Sequence, residues 1–231
     1  MKEPLFVPYC DARRKIRGGD LLLFRPRGFV WRAIAVAGRS EYTHAAMAGW
    51  WSRRLMCVEM CIRGGRALLL SNIVRRWPGA IDVYRANASG TGLAGGTRRS
   101  GGGTGLARGT RRFSRAAAVR AMIEITGRRY GWFNLFRAAL LHLPLFRFLV
   151  APETDDAADS AACHRLSQCH PPFCSQAVAM ATRAGGVDPV PNLADRLTEP
   201  ADLSRSSFYA YRFTLTWEEE SSTPDPEEAK K

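Results

Sequence analysis

From Gly18 to Arg85 the chain alternates short apolar segments with turn-forming residues, a pattern that only a strand-rich unit accommodates. Gly18-Gly19-Asp20 reads as a turn feeding Leu21-Leu22-Leu23-Phe24, a run short enough for a buried strand. Residues 55–61, 66–70 and 80–85 read as further strands, and a segment around Thr43-His44-Ala45-Ala46-Met47 pairs with 55–61 in a hairpin. Beyond this half the period changes. Ala117, Ala118, Ala121, Met122 and Ile125 recur at helical spacing, with Gly127 as a stop. Residues 132–150 read as two short apolar helices broken at Pro144, residues 173–184 as a helix closed by Gly185-Gly186, and 207–216 as a last strand. The expectation is one α+β domain over residues 1–217, an antiparallel sheet or small barrel packed against helices.

Two segments stand apart. Residues 86–112 hold nine of the 21 glycines and a near-duplicate pair, 91–99 and 104–112, so a flexible Gly/Arg-rich insertion is expected there. Residues 218–231 carry six acids and two lysines and are expected to form a disordered acidic tail. The whole chain has net charge +13, which places +17 on residues 1–217 and −4 on the tail. Of the positive residues 30 are Arg and four are Lys, and five of the Arg lie in 86–112. Such a balance suits nucleic acid, an anionic polymer or a membrane surface equally, with contact through the basic loop. No apolar run reaches the ~20 residues of a spanning helix, and no leader is recognisable, so a cytoplasmic location and reduced thiols are expected.

Three residues suggest chemistry. Cys174 follows Pro171-Pro172-Phe173 and opens a strong helical run, which puts its thiol at a helix N-terminus. There the dipole and free N–H groups favour thiolate and can hold an oxyanion, although a small buried cysteine fits the same position. His44 sits among small neighbours, Ala45, Ala46, Ala48 and Gly49, where a core histidine would also fit. With a turn centred on Trp51-Ser52, Glu59 falls directly opposite His44 on one face, close enough to orient the ring. Glu59 lies in the apolar run 56–60, where an unpaired charge would be costly. Cys57 and Cys61 share its face and are expected in the core or at a pocket rim. A thiol, an imidazole and a carboxylate are the parts of a nucleophilic site. Cys163, His164, Cys169, His170 and Cys174 are all zinc-ligand types, but their spacing matches no standard zinc pattern, and neither a metal nor another cofactor is expected.

In order, Gly19-Asp20-Leu21-Leu22-Leu23-Phe24, Tyr42-Thr43-His44-Ala45-Ala46-Met47, Val58-Glu59-Met60 and Phe173-Cys174-Ser175-Gln176 resemble the circularly permuted NlpC-type branch of the papain-like superfamily, the YiiX/YebB-like hydrolases. In that branch the histidine strand precedes the cysteine helix, as here, where 130 residues separate His44 from Cys174. Gly127-Arg-Arg-Tyr130-Gly131 and the stretch from Pro191 to Leu203 are also similar to it. The resemblance covers about residues 17–85 and 114–213. It implies a permuted papain-like fold and a cysteine peptidase or amidase with Cys174 as nucleophile, His44 as base and Glu59 as the orienting acid. Asp20 would be structural. The implied substrate is a peptide, a cell-wall peptide or an acyl, lipid-like amide. Gln176 departs from the Glu often found there, and the rival reading is a non-catalytic protein that binds nucleic acid or an anionic membrane.

Overall fold

The computed structural model of the chain describes residues 3–27, 40–87, 112–131, 171–191 and 193–217. Outside these lie most of the expected 86–112 insertion, the helices expected in 132–150, the Cys163-His164 and Cys169-His170 pairs, and the tail 218–231.

Among the described residues seven strands form one sheet: β1 (Phe6–Pro8), β2 (Leu21–Pro26), β3 (His44–Trp51), β4 (Arg54–Cys61), β5 (Gly64–Leu69), β6 (Gly79–Ala86) and β7 (Tyr209–Thr216). Their spatial order is β1-β7-β6-β2-β3-β4-β5. Every pairing is antiparallel except β1 with β7. The helices are α1 (Tyr9–Ala12), α2 (Leu70–Arg76), α3 (Arg115–Ile123), α4 (Cys174–Ala184) and α5 (Pro200–Arg205). The α+β class expected from the sequence is therefore observed.

Strand alternation sorts the core into two layers. Leu21, Leu23, Ala45, Met47, Val58 and Met60 face α3 and α4, where Ala118, Met122, Ala177 and Val178 meet them. Leu22, Phe24, Ala46, Ala48, Leu55 and Cys57 face the other way, toward Tyr9, Leu70 and Val74 of α1 and α2. The small residues of β3 let the helical layer come close. A Cβ placed on Gly49 would already stand 3.3 Å from Val119 Cγ1.

Three expected boundaries change. The β3–β4 hairpin turns at Ser52-Arg53, not Trp51-Ser52, with Ser52 in the left-handed region at φ 52°. Ala46, not His44, then stands opposite Glu59. The displacement is two residues, and an even shift leaves every side chain on its expected face. Second, the strand expected at 66–70 spans Gly64–Leu69, and Leu70 opens a helix. Third, β1 and α1 were not expected at all. β1 is three residues long and gains strand geometry only by pairing with Thr214–Thr216.

Asp20, fully buried, is a structural pin. Arg115 Nη1 donates to it at 2.8 Å, Arg85 Nη2 at 3.3 Å, and the Arg17 N–H at 2.9 Å, so one carboxylate ties β2 to β6 and α3. At the far end of α3, Gly64-Gly65 receives the chain that leaves the helix. Gly65 N–H donates to the Arg128 carbonyl and Gly127 N–H to the Gly65 carbonyl, both at 2.8 Å. A Cβ on Gly65 would lie 2.0 Å from the Ile125 carbonyl oxygen. Backbone cannot yield as a flexible side chain does. Gly65→Ala is therefore expected to lower unfolding stability by about 1–3 kcal/mol in denaturant titration, whereas Gly127→Ala, with open space around its Cβ, acts only through its φ of 81°.

Candidate active site

The sequence places His44 at the first residue of β3 and Cys174 at the first residue of α4, and the fold brings these two element starts together. Pro171-Pro172 precedes α4, and the Phe173 N–H donates to the Gln176 side-chain oxygen at 3.4 Å, so Gln176 closes the helix start. Ser175 anchors the same turn through its hydroxyl, which donates to the Thr198 carbonyl at 2.7 Å. Cys174 is 5% exposed. Its sulfur is in hydrogen-bond contact with the His44 ring and with the backbone N–H groups of Ala45 and Ser175.

His44 and Glu59 are diagonal neighbours on one face of the hairpin, a separation that long side chains span. The His44 Nε2 lies 2.6 Å from Glu59 Oε2. The same ring is in hydrogen-bond contact with the Cys174 thiol. The Phe24 ring packs edge-on against the imidazole, with centroids 5.1 Å apart. The segment that enters β3 is itself tied down. Thr43 N–H donates to the Phe24 carbonyl at 3.0 Å, and Tyr42 donates its hydroxyl to Asp82 Oδ2 at 2.8 Å. The buried Asp82 also accepts from Arg25 Nη2 at 2.9 Å and from the Thr214 hydroxyl at 2.5 Å. All three residues singled out in the sequence thus meet at one end of the sheet.

Two further residues join them. Arg66 stands directly opposite Glu59 in the β4–β5 register, and its Nε and Nη2 donate to Glu59 Oε1 at 2.7 and 2.6 Å. Counting outward from the Ile62-Arg63 turn would have found it. Tyr130 packs on Phe173 and Cys174, with its hydroxyl in contact with the Cys174 thiol and backbone N–H. Its neighbour Gly131 donates to the Pro172 carbonyl at 3.2 Å, and a Cβ there would sit 1.9 Å from the Pro171 oxygen. The motif Tyr130-Gly131 was visible in the sequence, but its place beside the thiol depends on contacts between distant segments.

The charges alternate along this chain of groups. Burial alone would raise the Cys174 thiol, but His44 and the two backbone N–H groups outweigh it, and the thiol pKa falls below its ordinary value. Burial would lower the His44 pKa, yet its bonds to Cys174 and Glu59 push it up to about 10. Burial would raise Glu59, and His44 and Arg66 together hold it low. The arrangement favours thiolate, imidazolium, carboxylate and guanidinium together. Cys57 is the contrast: burial and the Glu59 charge drive its thiol well up, leaving an inert core cysteine. Cys61 is half-buried and donates to the Gly64 carbonyl at 3.3 Å. Cys10, Cys57, Cys61 and Cys174 are free thiols. Among the described residues no cluster of three or more metal-ligating side chains occurs, and no helix is long and apolar enough to cross a membrane.

No protein-family model matches the chain, and no curated protein matches it.

Glu59 carries a lowered pKa, so its contribution to stability is present above its unfolded value of ~4.3 and is lost as pH falls through the folded value. Arg66→Gln removes two of the donors that keep it low. Denaturant unfolding across the acid range is expected to show a smaller loss of stability on acidification in this variant than in the wild type, because a less depressed carboxyl has less stabilisation to lose. An identical acid limb would mean that Arg66 does not hold the carboxylate.

Proposed function

We propose that this chain is a thiol hydrolase of permuted papain-like architecture that cleaves an amide bond through an acyl-enzyme. One observation carries the reading: a lowered-pKa cysteine at a helix start touches a histidine whose Nε2 is held 2.6 Å from a buried glutamate. Separately evolved nucleophilic sites share this arrangement because each part solves one problem. The carboxylate fixes the ring, the ring carries the proton, and the helix start favours the thiolate.

In the first step the Cys174 thiolate attacks the carbonyl carbon, and the carbonyl π pair moves onto oxygen. The Tyr130 hydroxyl touches the sulfur and accepts from the Cys174 N–H, and its own O–H can donate to that oxyanion. As the tetrahedral species collapses, the C–N bond breaks and the His44 imidazolium gives its proton to the departing amine. His44, now neutral, takes a proton from water; the hydroxide adds to the thioester, the C–S bond breaks, and a carboxylic acid leaves with the thiolate restored. Throughout, Glu59 keeps the imidazole in place and stabilises its charged form, while Arg66 keeps Glu59 ionised. Peptides, cell-wall peptides and acyl, lipid-like amides all present the required bond.

Labelling with an electrophilic thiol probe tests the reading. The wild type is expected to label at Cys174, and Cys174→Ala to lose that label. His44→Ala is expected to slow it by ~10²-fold or more, the usual scale for loss of an acid–base partner. Hydrolysis should fall at acid pH as the thiolate is protonated and again near pH 10, where His44 loses the proton needed by the leaving group. Labelling at another cysteine, or a rate that ignores His44, contradicts the proposal.

A further inference from the structure

The end of the sheet opposite Cys174 carries a second feature, and it stands whether or not the chain is a hydrolase. β3 runs from His44 to Trp51, so at ~3.3 Å per residue the hairpin tip lies ~23 Å from the catalytic end. The segment Arg13–Lys15 packs against this tip. The Arg13 guanidinium donates to the Arg53 carbonyl and lies 5.1 Å over the Trp50 ring, while Trp50 Nε1 donates to the Ile16 carbonyl at 3.0 Å. These contacts gather Arg14, Lys15, Arg17, Arg53 and Arg54 at one pole, all exposed. Asp11 is the exposed carboxylate on these elements, and among the described residues none of the five cations has an ion-pair partner within 4 Å. Trp51, paired with Arg54 at the hairpin tip, has 38% of its surface exposed.

Five like charges close together repel one another, so nothing in the fold itself rewards this grouping. An exposed tryptophan next to Arg53 and Arg54 adds apolar area where burial is incomplete. We propose that the pole formed by Arg13–Lys15 and the β3–β4 hairpin tip docks the protein on an anionic phospholipid bilayer. Exposed cations and an exposed indole at one hairpin tip suit a charged interface: the guanidinium and ammonium groups meet headgroup phosphates, and the amphipathic indole enters the interfacial layer. A recess of ≈ 770 Å³ beside the tip is lined by Val7, Tyr9, Cys10, Asp11, Arg13, Arg14 and Lys15, so three cations face one carboxylate there. Polynucleotide binding calls instead for a basic groove lined with aromatic side chains on which bases stack, and the exposed indole here is the single Trp51. The Gly/Arg-rich segment expected to make such contacts lies outside the described residues. Docking through the hairpin tip would leave the Cys174 end pointing away from the bilayer.

Sedimentation of the full chain with vesicles tests this. Binding is expected to phosphatidylcholine vesicles containing phosphatidylglycerol, not to phosphatidylcholine alone, and to weaken with salt. Arg53→Gln with Arg54→Gln, and separately Arg14→Gln with Lys15→Gln, should each weaken it by about fivefold per cation removed. Trp51→Ala should weaken it further, and wild-type tryptophan emission should shift to the blue on binding. Unchanged probe labelling at Cys174 in these variants shows that the fold is intact, and Cys174→Ala should bind vesicles as the wild type does, which separates failure here from failure of the hydrolase reading. The proposal is overturned by equal binding to both vesicle types, by binding that ignores both double substitutions, by loss only when Arg98 and Arg99 are changed, or by salt-sensitive binding to DNA without binding to anionic vesicles.

Discussion

The buried carboxylate of Glu59 is the constraint around which the rest of the site is arranged. A carboxylate 3% exposed is tolerable only if its lone pairs are met, and here one oxygen takes His44 while the other takes two donors of Arg66. Because Arg66 satisfies Oε1, Oε2 remains for the imidazole. The cation on the ring in turn favours the thiolate of Cys174. Four groups from three adjacent strands and one helix thus stabilise one another's charged forms, and removing either end changes the proton affinity of the middle. The lowered Cys174 and the raised His44 are two sides of one interaction, so neither is a property of its residue alone.

The sheet and the helical layer supply the geometry that this interaction needs. Small residues along β3 allow α3 and α4 to approach, and the Asp20 and Asp82 networks fix the strands on which the hairpin rests. Two close backbone approaches then deliver Tyr130. Gly65 accepts the segment leaving α3, and Gly131 locks the next turn against Pro171 and Pro172, immediately before the nucleophile. Both glycines are required by space, not by conformational freedom. The same rigidity that orders the catalytic end leaves the hairpin tip, with its cations and Trp51, as the exposed end of the molecule.

How much of this could be read in the sequence depended on whether the cause was local. The α4 start was legible because a proline pair followed by a strong helical run has one natural boundary. The pairing of His44 with Glu59 was legible in its face but not in its register. Ser52 adopts a positive φ that a sequence gives little reason to expect, and the two-residue shift it imposes preserved the face by parity. Leu70 reads as strand because Ala67-Leu68-Leu69-Leu70 is an unbroken apolar run, which periodicity alone cannot divide between strand and helix. Arg66 and Tyr130 needed pairings set by Gly64-Gly65 and by segments far apart in the chain. β1 depends on a partner strand about 200 residues away and had no local signal at all.

The central claim, that Cys174 is held as a thiolate by the His44–Glu59–Arg66 chain, is tested most directly by ultraviolet titration of thiolate absorbance, taken as the difference between the wild type and Cys174→Ser. The account predicts that the Cys174 thiolate forms below the ordinary cysteine value of ~8.5 and that Glu59→Gln moves its titration upward. A Cys174 that titrates at or above ~8.5, or one indifferent to Glu59→Gln, would contradict it.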